Sequence, residues 1–392
     1  MESYDFLIFV AIILLSTKIF GILSEKVHMP QVVGALLVGI ILGPSCFNIL
    51  HETDFIVKSA EIGVIFLMFL AGLDTEMDEL KSTGKASLII AVIGVVIPLL
   101  GGLGVYLFFF KDVVSGDLLV LEGVFIGVVL TATSVSITVE TLKEMGKLKG
   151  KVGTAILGAA IIDDILGIIT LTVITSFADP NVNIFLMIIK IVLFFIFVLI
   201  CGIIMSKLFK LLEEKYGSRR RVAIYAVSFC LFMSFCAEEF FGVADITGAY
   251  FAGLILCNTT EIKSYIASKI TIVSYMFFTP IFFASIGIKT VISGLTPTLI
   301  TFSIVLLIIA ILTKIIGCGF AALVCGFSKS DALSIGIGMV SRGEVALIVA
   351  QKGAQVGLIS EAMFPPIVVV VIVTTLLTPI MLKITMKDTK KI

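Results

Sequence analysis

The chain has 392 residues, a formal net charge of zero, 59% hydrophobic residues and 14% charged ones, and its mean hydropathy is +1.21. Soluble domains carry about 25% charged residues, so there are too few polar side chains here to coat a soluble fold of this size. A soluble enzyme, a disordered chain and a nucleic-acid partner are excluded, the last because no basic phosphate-binding face is available. What remains is an all-α integral membrane protein embedded in a lipid bilayer.

A bilayer crossing needs roughly 20 mostly apolar residues. By that rule about 13 transmembrane helices are predicted, near 5–23, 30–48, 56–74, 85–110, 118–141, 151–177, 183–212, 221–240, 243–258, 266–288, 296–327, 331–356 and 364–386. The longest polar stretches, Asp74 to Lys85, Glu140 to Lys151 and Glu213 to Arg221, read as connections. The seven cysteines sit singly in apolar runs. They lack disulfide or zinc spacing and read as small apolar filler. Asp245, ahead of Ile246-Thr-Gly248, reads as a helix N-cap. Gly39 and Gly43 form a GxxxG pattern that permits close helix packing, within the chain or at a dimer seam.

Lysine and arginine set the orientation. Lys58, Lys111, Lys289 and Lys352 fall on one side of the predicted topology, and every other Lys and Arg outside the membrane interior falls on the opposite side. The rich side is expected to be cytoplasmic, with the N-terminus outside and the C-terminus inside.

An internal repeat is legible. Phe66-Leu-Met-Phe-Leu-Ala-Gly-Leu-Asp-Thr75 in the third segment matches Ile281-Phe-Phe-Ala-Ser-Ile-Gly-Ile-Lys-Thr290 in the tenth. The fifth and twelfth segments each carry a polar interruption, Thr131-Ala-Thr-Ser134 and Ser341-Arg-Gly-Glu344. Both matches are offset by seven segments. An odd offset inverts one copy against the other, and paired interruptions in inverted repeats point to a transport site near the midplane.

Few charges lie deep in these segments, and each costs about 2.5–3.5 kcal/mol on insertion scales. Asp163 and Asp164 are the sharpest feature, flanked by Ala159-Ala-Ile-Ile162 and Ile165-Leu-Gly-Ile-Ile169. Burial and mutual repulsion favour protonation of a carboxyl, whereas a nearby cation favours the carboxylate. A group balanced between these can alternate between a proton and a hard cation held by oxygen ligands. The plainer alternative is a structural pair neutralised by a lysine. Lys314, in Ile311-Leu-Thr-Lys-Ile-Ile-Gly317, is the natural counter-ion, unless it snorkels to an interface. Thr131, Thr133 and Ser134 supply hydroxyls at the first interruption, and mid-membrane hydroxyls also commonly bond the preceding turn. Arg342 and Glu344, separated by Gly343, either balance helix ends or form a structural pair.

Ala159-Ala-Ile-Ile-Asp-Asp-Ile-Leu-Gly167, Thr131-Ala-Thr-Ser-Val135 and Gly338-Met-Val-Ser-Arg-Gly-Glu-Val-Ala346 resemble the NapA-type sodium/proton antiporters of the monovalent cation:proton antiporter-2 family. Met29-Pro-Gln-Val-Val-Gly34, Leu42-Gly-Pro44, Phe69-Leu-Ala-Gly-Leu73 and Lys314 extend the likeness over the whole chain. The resemblance implies inverted repeats and two interrupted helices that cross in a moving core. It assigns 84–177 and 296–388 to that core, 1–82 and 216–292 to a dimerisation part, and 178–215 to a linker helix. It implies Asp164 as the principal cation and proton carboxylate, with Asp163 paired to Lys314 and releasing it when a cation binds. Thr133 and Ser134 would line the site, and Glu344 and Arg342 would balance the crossing.

The expected activity is therefore not enzymatic. It is exchange of Na+ (or Li+) for H+ across a prokaryotic plasma membrane by a homodimer, with elevator-like alternating access and no cofactor beyond the transported ions. Two carboxylates and one lysine suggest two protons per sodium. Such exchange would be electrogenic, driven at about 2.3 kcal/mol per charge per 100 mV. Potassium/proton exchange is the runner-up. A solute symporter on the same fold, a passive channel and an intramembrane enzyme fit the twin aspartates less well.

Overall fold

The computed structural model describes residues 4–26, 29–112, 117–178, 183–216, 220–257, 260–289, 296–355 and 358–386. The side chains of Glu344 and Lys352 lie outside the described set. The described chain is helical, and ten of its helices are long and apolar enough to cross a membrane.

The first half runs α1 (Asp5–Lys26), α2 (Gln31–Leu42), α3 (Asp54–Asp74), α4 (Met77–Phe110), α5 (Asp117–Thr131), α6 (Val135–Glu144) and α7 (Lys151–Ala178). After α8 (Ile184–Tyr216), the second half runs α9 (Arg220–Glu239), α10 (Asp245–Leu256), α11 (Thr260–Val273), a π turn (Ser274–Phe278), α12 (Thr279–Ile288), α13 (Pro297–Val324), α14 (Lys329–Gly338), α15 (Glu344–Gln355) and α16 (Phe364–Thr385). A helix or a helix pair falls on every predicted segment.

The differences have local causes. The segment expected over 30–48 stops at Leu42, because Gly43 turns extended and Pro44 has no amide to continue the ladder. The polar stretch from Asp74 to Lys85 is not a loop. Helix α4 starts inside it, with Asp78 and Glu79 in its first turn, where the helix dipole favours acids. Glu140 to Glu144 likewise form the last turns of α6. The tenth segment is not a continuous α-helix. It widens into the π turn just before Pro280, whose ring cannot be accommodated by a regular preceding turn. Ala244, rather than Asp245, is the N-cap of α10; Asp245 is the first helical residue, and its carboxylate accepts from the Ile246 amide at 2.7 Å. Cys46 is exposed rather than a core filler.

The repeat is visible in packing. Helix α3 packs on α10 and α12 packs on α2; α4 packs on α5 and α7, and α13 packs on α14 and α16; α1 packs on α2, and α9 on α10. Each pair maps onto its mate when the two halves are exchanged, and the contact of α4 with α13 maps onto itself. The GxxxG glycine Gly39 serves packing within the chain, because its Cα face lies against the Ala284 carbonyl of α12. Outward faces are apolar, as a bilayer requires. On α13, Ile300, Ile304, Ile308, Leu312, Ile316 and Phe320 form an exposed stripe every fourth residue.

Candidate ion-binding site

The two interruptions form where the sequence weakens the helix. Hydroxyl side chains at 131–134 compete for backbone bonds, and α5 ends at Thr131 while α6 starts at Val135. Helix α14 ends at Gly338 and α15 starts at Glu344. The two breaks lie against each other. The Ser134 amide donates to the Ser341 carbonyl at 2.7 Å, and the Thr138 hydroxyl donates to the Gly338 carbonyl at 2.8 Å.

Two opposed half-helices leave orphaned backbone groups in a low-dielectric interior. Arg342, fully buried, answers them. One of its terminal nitrogens donates to the Val340 carbonyl at 2.7 Å, and the other donates to the Leu130 carbonyl at 2.8 Å and the Ala310 carbonyl at 3.0 Å. One guanidinium thus ties the end of α5 to α13 and to its own break. Its own carbonyl accepts from the Thr375 hydroxyl of α16. Arg342 thus bonds carbonyls at helix ends, as one of the two sequence alternatives has it; the other, a pair with Glu344, falls outside the described residues. The Ser341 hydroxyl and the Arg342 Nε have no hydrogen-bond partner among the described residues.

Asp163 and Lys314 form an ion pair, with Nζ at 3.1 and 3.3 Å from the two carboxylate oxygens. Both side chains are removed from solvent, at 1% and 0% exposure. Lys314 does not snorkel, since it points away from the lipid-facing stripe of α13 into the core. The Thr133 hydroxyl lies 3.5 Å from both the Thr131 carbonyl and the Met339 carbonyl of the other break. Thr131 bonds the preceding turn through the Val128 carbonyl at 2.7 Å. Ser134 meets the hydroxyl of Ser136 at 3.3 Å.

A cavity of about 610 Å³ reaches this pair. Its floor includes Asp163, Asp164, Thr131 and Ala132, and its walls come from α5, α7 and α15 on one side and α3, α10 and α12 on the other. Thr133 and Ser134 are not among its lining residues. Asp164, at 8% exposure, therefore faces the cavity while Asp163 faces the lysine. That division follows from the roughly 100° between neighbouring helix positions. Lys58, Glu61, Glu238, Asp245 and Lys289 line the outer part. Sequence reasoning read Asp245 only as an N-cap and Lys58 and Lys289 only as orientation charges, and it passed over Glu61 and Glu238; none was placed at the site. It also missed Gly94 on α4. A methyl there would sit 2.7 Å from the Cys318 sulfur and 3.7 Å from Lys314 Nζ, so the glycine makes room for the ion pair.

Comparison with known proteins agrees with this architecture. The family model described as "Sodium/hydrogen exchanger, transmembrane" matches residues 11–388. The Na(+)/H(+)-K(+) antiporter GerN of Bacillus cereus is 40% identical, over 98% of this chain and 97% of its own. A Na(+)/H(+) antiporter of Enterococcus hirae is 34% identical, over 97% of each. The solved structure of the sodium proton antiporter MjNhaP1 from Methanocaldococcus jannaschii at pH 8 shares the fold, with a TM-score of 0.72 over 97% of this chain and 96% of its own at 17% identity. The chain is a multi-pass membrane protein that belongs to the sodium/hydrogen exchanger family.

Proposed function

We propose that this protein is a secondary active antiporter that exchanges Na+ (or Li+) for H+. The observation that carries the reading is a cavity whose floor holds one carboxylate, Asp164, beside a second one, Asp163, already bound to Lys314. A hard cation entering the cavity loses water and gains oxygen ligands, with Asp164 as the charged one. Its charge also draws on Asp163 and weakens the hold on Lys314. An uncompensated buried lysine then favours loss of its proton. Protonation of the carboxylates reverses the sequence, so cation and proton compete for one set of groups. If Asp164 starts protonated, the entering cation displaces its proton as well as the one Lys314 gives up, so two protons leave for each sodium bound and the exchange is electrogenic.

The cavity lies along one seam, between the elements of 84–177 and 296–388 and those of 1–82 and 216–292. We assign the first set to a core that slides past the second, with 178–215 as linker and the second set as the homodimer contact. The lysine and arginine distribution supports the N-terminus outside, and the bacterial relatives support a prokaryotic plasma membrane location. No resident cofactor enters this cycle.

Potassium/proton exchange is the second reading. It is favoured by the 40% identity to GerN, whose description includes potassium.

The test uses purified protein in liposomes with an imposed pH gradient and an internal pH dye. Sodium, lithium, potassium and choline are added in turn, with Asp164→Asn beside the wild type. Sodium-dependent proton movement that the variant loses is the expected result. Absence of any cation response in intact proteoliposomes overturns the reading.

A further inference from the structure

The cavity opens at one face of the membrane-spanning bundle, where α3 begins, α9 ends and α12 ends. At the opposite face α6 packs across the same seam on α2 and α3, and polar contacts cross it. They come from one side of α6. Glu140 and Glu144 are four apart and share a helix face, with Lys143 beside them.

Glu140, buried at 3% exposure, accepts a hydrogen bond from the Tyr275 hydroxyl at 2.5 Å. Tyr275 belongs to the π turn. Lys143 Nζ stands 5.2 Å from the centre of the same ring. Glu144 accepts from the Gln31 amide at 2.7 Å and the Val32 amide at 3.2 Å. These are orphan donors at the start of α2, whose N-cap is Pro30 and supplies no side-chain acceptor. A carboxylate from over a hundred residues away therefore caps this helix, with the dipole in its favour. Just beyond α6, Lys149 reaches Asp74 at the end of α3, at 3.7 Å.

We infer that Glu140, Lys143 and Glu144 of α6 form a latch that closes this face by gripping the π turn and the N-terminus of α2. The inference rests on the alternating-access reading above. For Asp164 to meet the opposite face, α6 has to leave α2 and the π turn. Each tie is a polar contact that water can replace on opening, and the ties stand beside a buried apolar cluster that includes Leu142 of α6 and Val32 and Val33 of α2. Helix α6 begins at the break that carries Thr131–Ser134, so the latch adjoins in sequence the residues that end α5 at the floor of the cavity. Glu144 and Tyr275 are thus positioning residues for the cycle. They set the ratio of the two access states without touching the ion.

The test places a reporter behind the latch. Ala160 lies one helical turn from Asp164 toward the closed face and is buried. Ala160→Cys is built on a background with the seven native cysteines replaced. Its labelling rate with a membrane-impermeant maleimide then reports opening of that face. Glu144→Gln and Tyr275→Phe are expected to raise this rate about fivefold, the population change for loss of about one such hydrogen bond. Transport is expected to persist, with the apparent KM for the cation altered at the latch face more than the maximal rate. If Glu144→Gln does not fold, Tyr275→Phe carries the test, because it deletes only one hydroxyl. Unchanged labelling in the folded variants overturns the latch. Raised labelling in a protein that moves no cation leaves the latch standing and overturns the antiport reading instead.

Discussion

The two halves of the repeat are alike in packing and opposite in charge. In the first half, α5 to α7 bring oxygens to the centre: Thr131, Thr133, Asp163 and Asp164. In the second half, α13 and the α14/α15 break bring cations, Lys314 and Arg342. Helix α16, the mate of α7, carries Thr374 and Thr375 in its buried middle rather than carboxylates. Both halves keep the geometry that a crossing of broken helices needs. Only their difference in charge makes that crossing a place where a cation and a proton can compete. A perfectly symmetric pair would place like charges face to face in a low-dielectric interior, which is costly unless they are neutralised.

The strongest way to break this complementarity is to remove its most heavily bonded cation. Arg342→Ala removes the donors to the Leu130, Val340 and Ala310 carbonyls, of which Ala310, inside α13, keeps a bond from the Thr313 hydroxyl. At about 1–3 kcal/mol for each buried unsatisfied group, the expected cost is about 5 kcal/mol. Thermal unfolding in detergent checks this, and the variant should fail to give a stable monodisperse protein. Arg342→Lys should recover only part of the loss, because an ammonium cannot span three carbonyls as a fork does.

The ion pair sharpens the comparison at somewhat lower cost. Asp163→Asn leaves Lys314 buried without its charge partner, and Lys314→Met leaves Asp163 likewise. Each single change is expected to cost about 3–5 kcal/mol. The double variant should be markedly more stable than the sum of the two, since an apolar side chain packs where a paired charge stood. Stability that falls additively would mean the two residues do not depend on each other. In proteoliposomes, Asp163→Asn should also lose transport current while retaining residual exchange. A reversed current would not fit the assignment of Asp163 to the lysine.

How much of this was readable beforehand differs between the backbone and the site. Segment positions, both breaks and Lys314 as counter-ion of the aspartate pair were legible, because a charge in a long apolar run has few ways to be satisfied; that its partner is Asp163 was implied only by the family resemblance. The roles of Glu140 and Glu144 were not. They lie in a polar stretch that resembles a loop, and their partners, Tyr275 and the α2 amides, come from distant parts of the chain. The shortness of α2 and the π turn before Pro280 escaped for the same kind of reason. Apolar composition sets a span, while a single Gly43 or Pro280 decides how it is wound. The orientation of Asp164 toward the cavity and Asp163 toward the lysine follows from helix geometry only once the position of α13 is known.

The gentlest test addresses the likeness of the halves rather than their difference. Gly39 and Gly287 let α2 and α12 touch backbone to backbone, and Gly253 and Gly72 do the same for α10 and α3. Under the exchange of halves Gly72 maps to Gly287 and Gly39 maps to Gly253, so the two crossings are copies of one joint. A methyl on Gly63 of α3 would meet the Phe278 carbonyl at 2.7 Å, but that contact maps onto itself, with Phe278 where a second glycine would stand. Alanine at Gly39 or at Gly253 forces its crossing apart and should cost about 1–3 kcal/mol, as overpacking does elsewhere. If the halves bear load equally, the two variants should lower the unfolding midpoint by matching amounts. A large inequality would mean that one crossing braces the molecule and the other merely follows the inherited geometry. The joint of α2 is also the one gripped by Glu144, so Gly39→Ala should in addition raise labelling behind the latch, whereas Gly253→Ala should leave it unchanged.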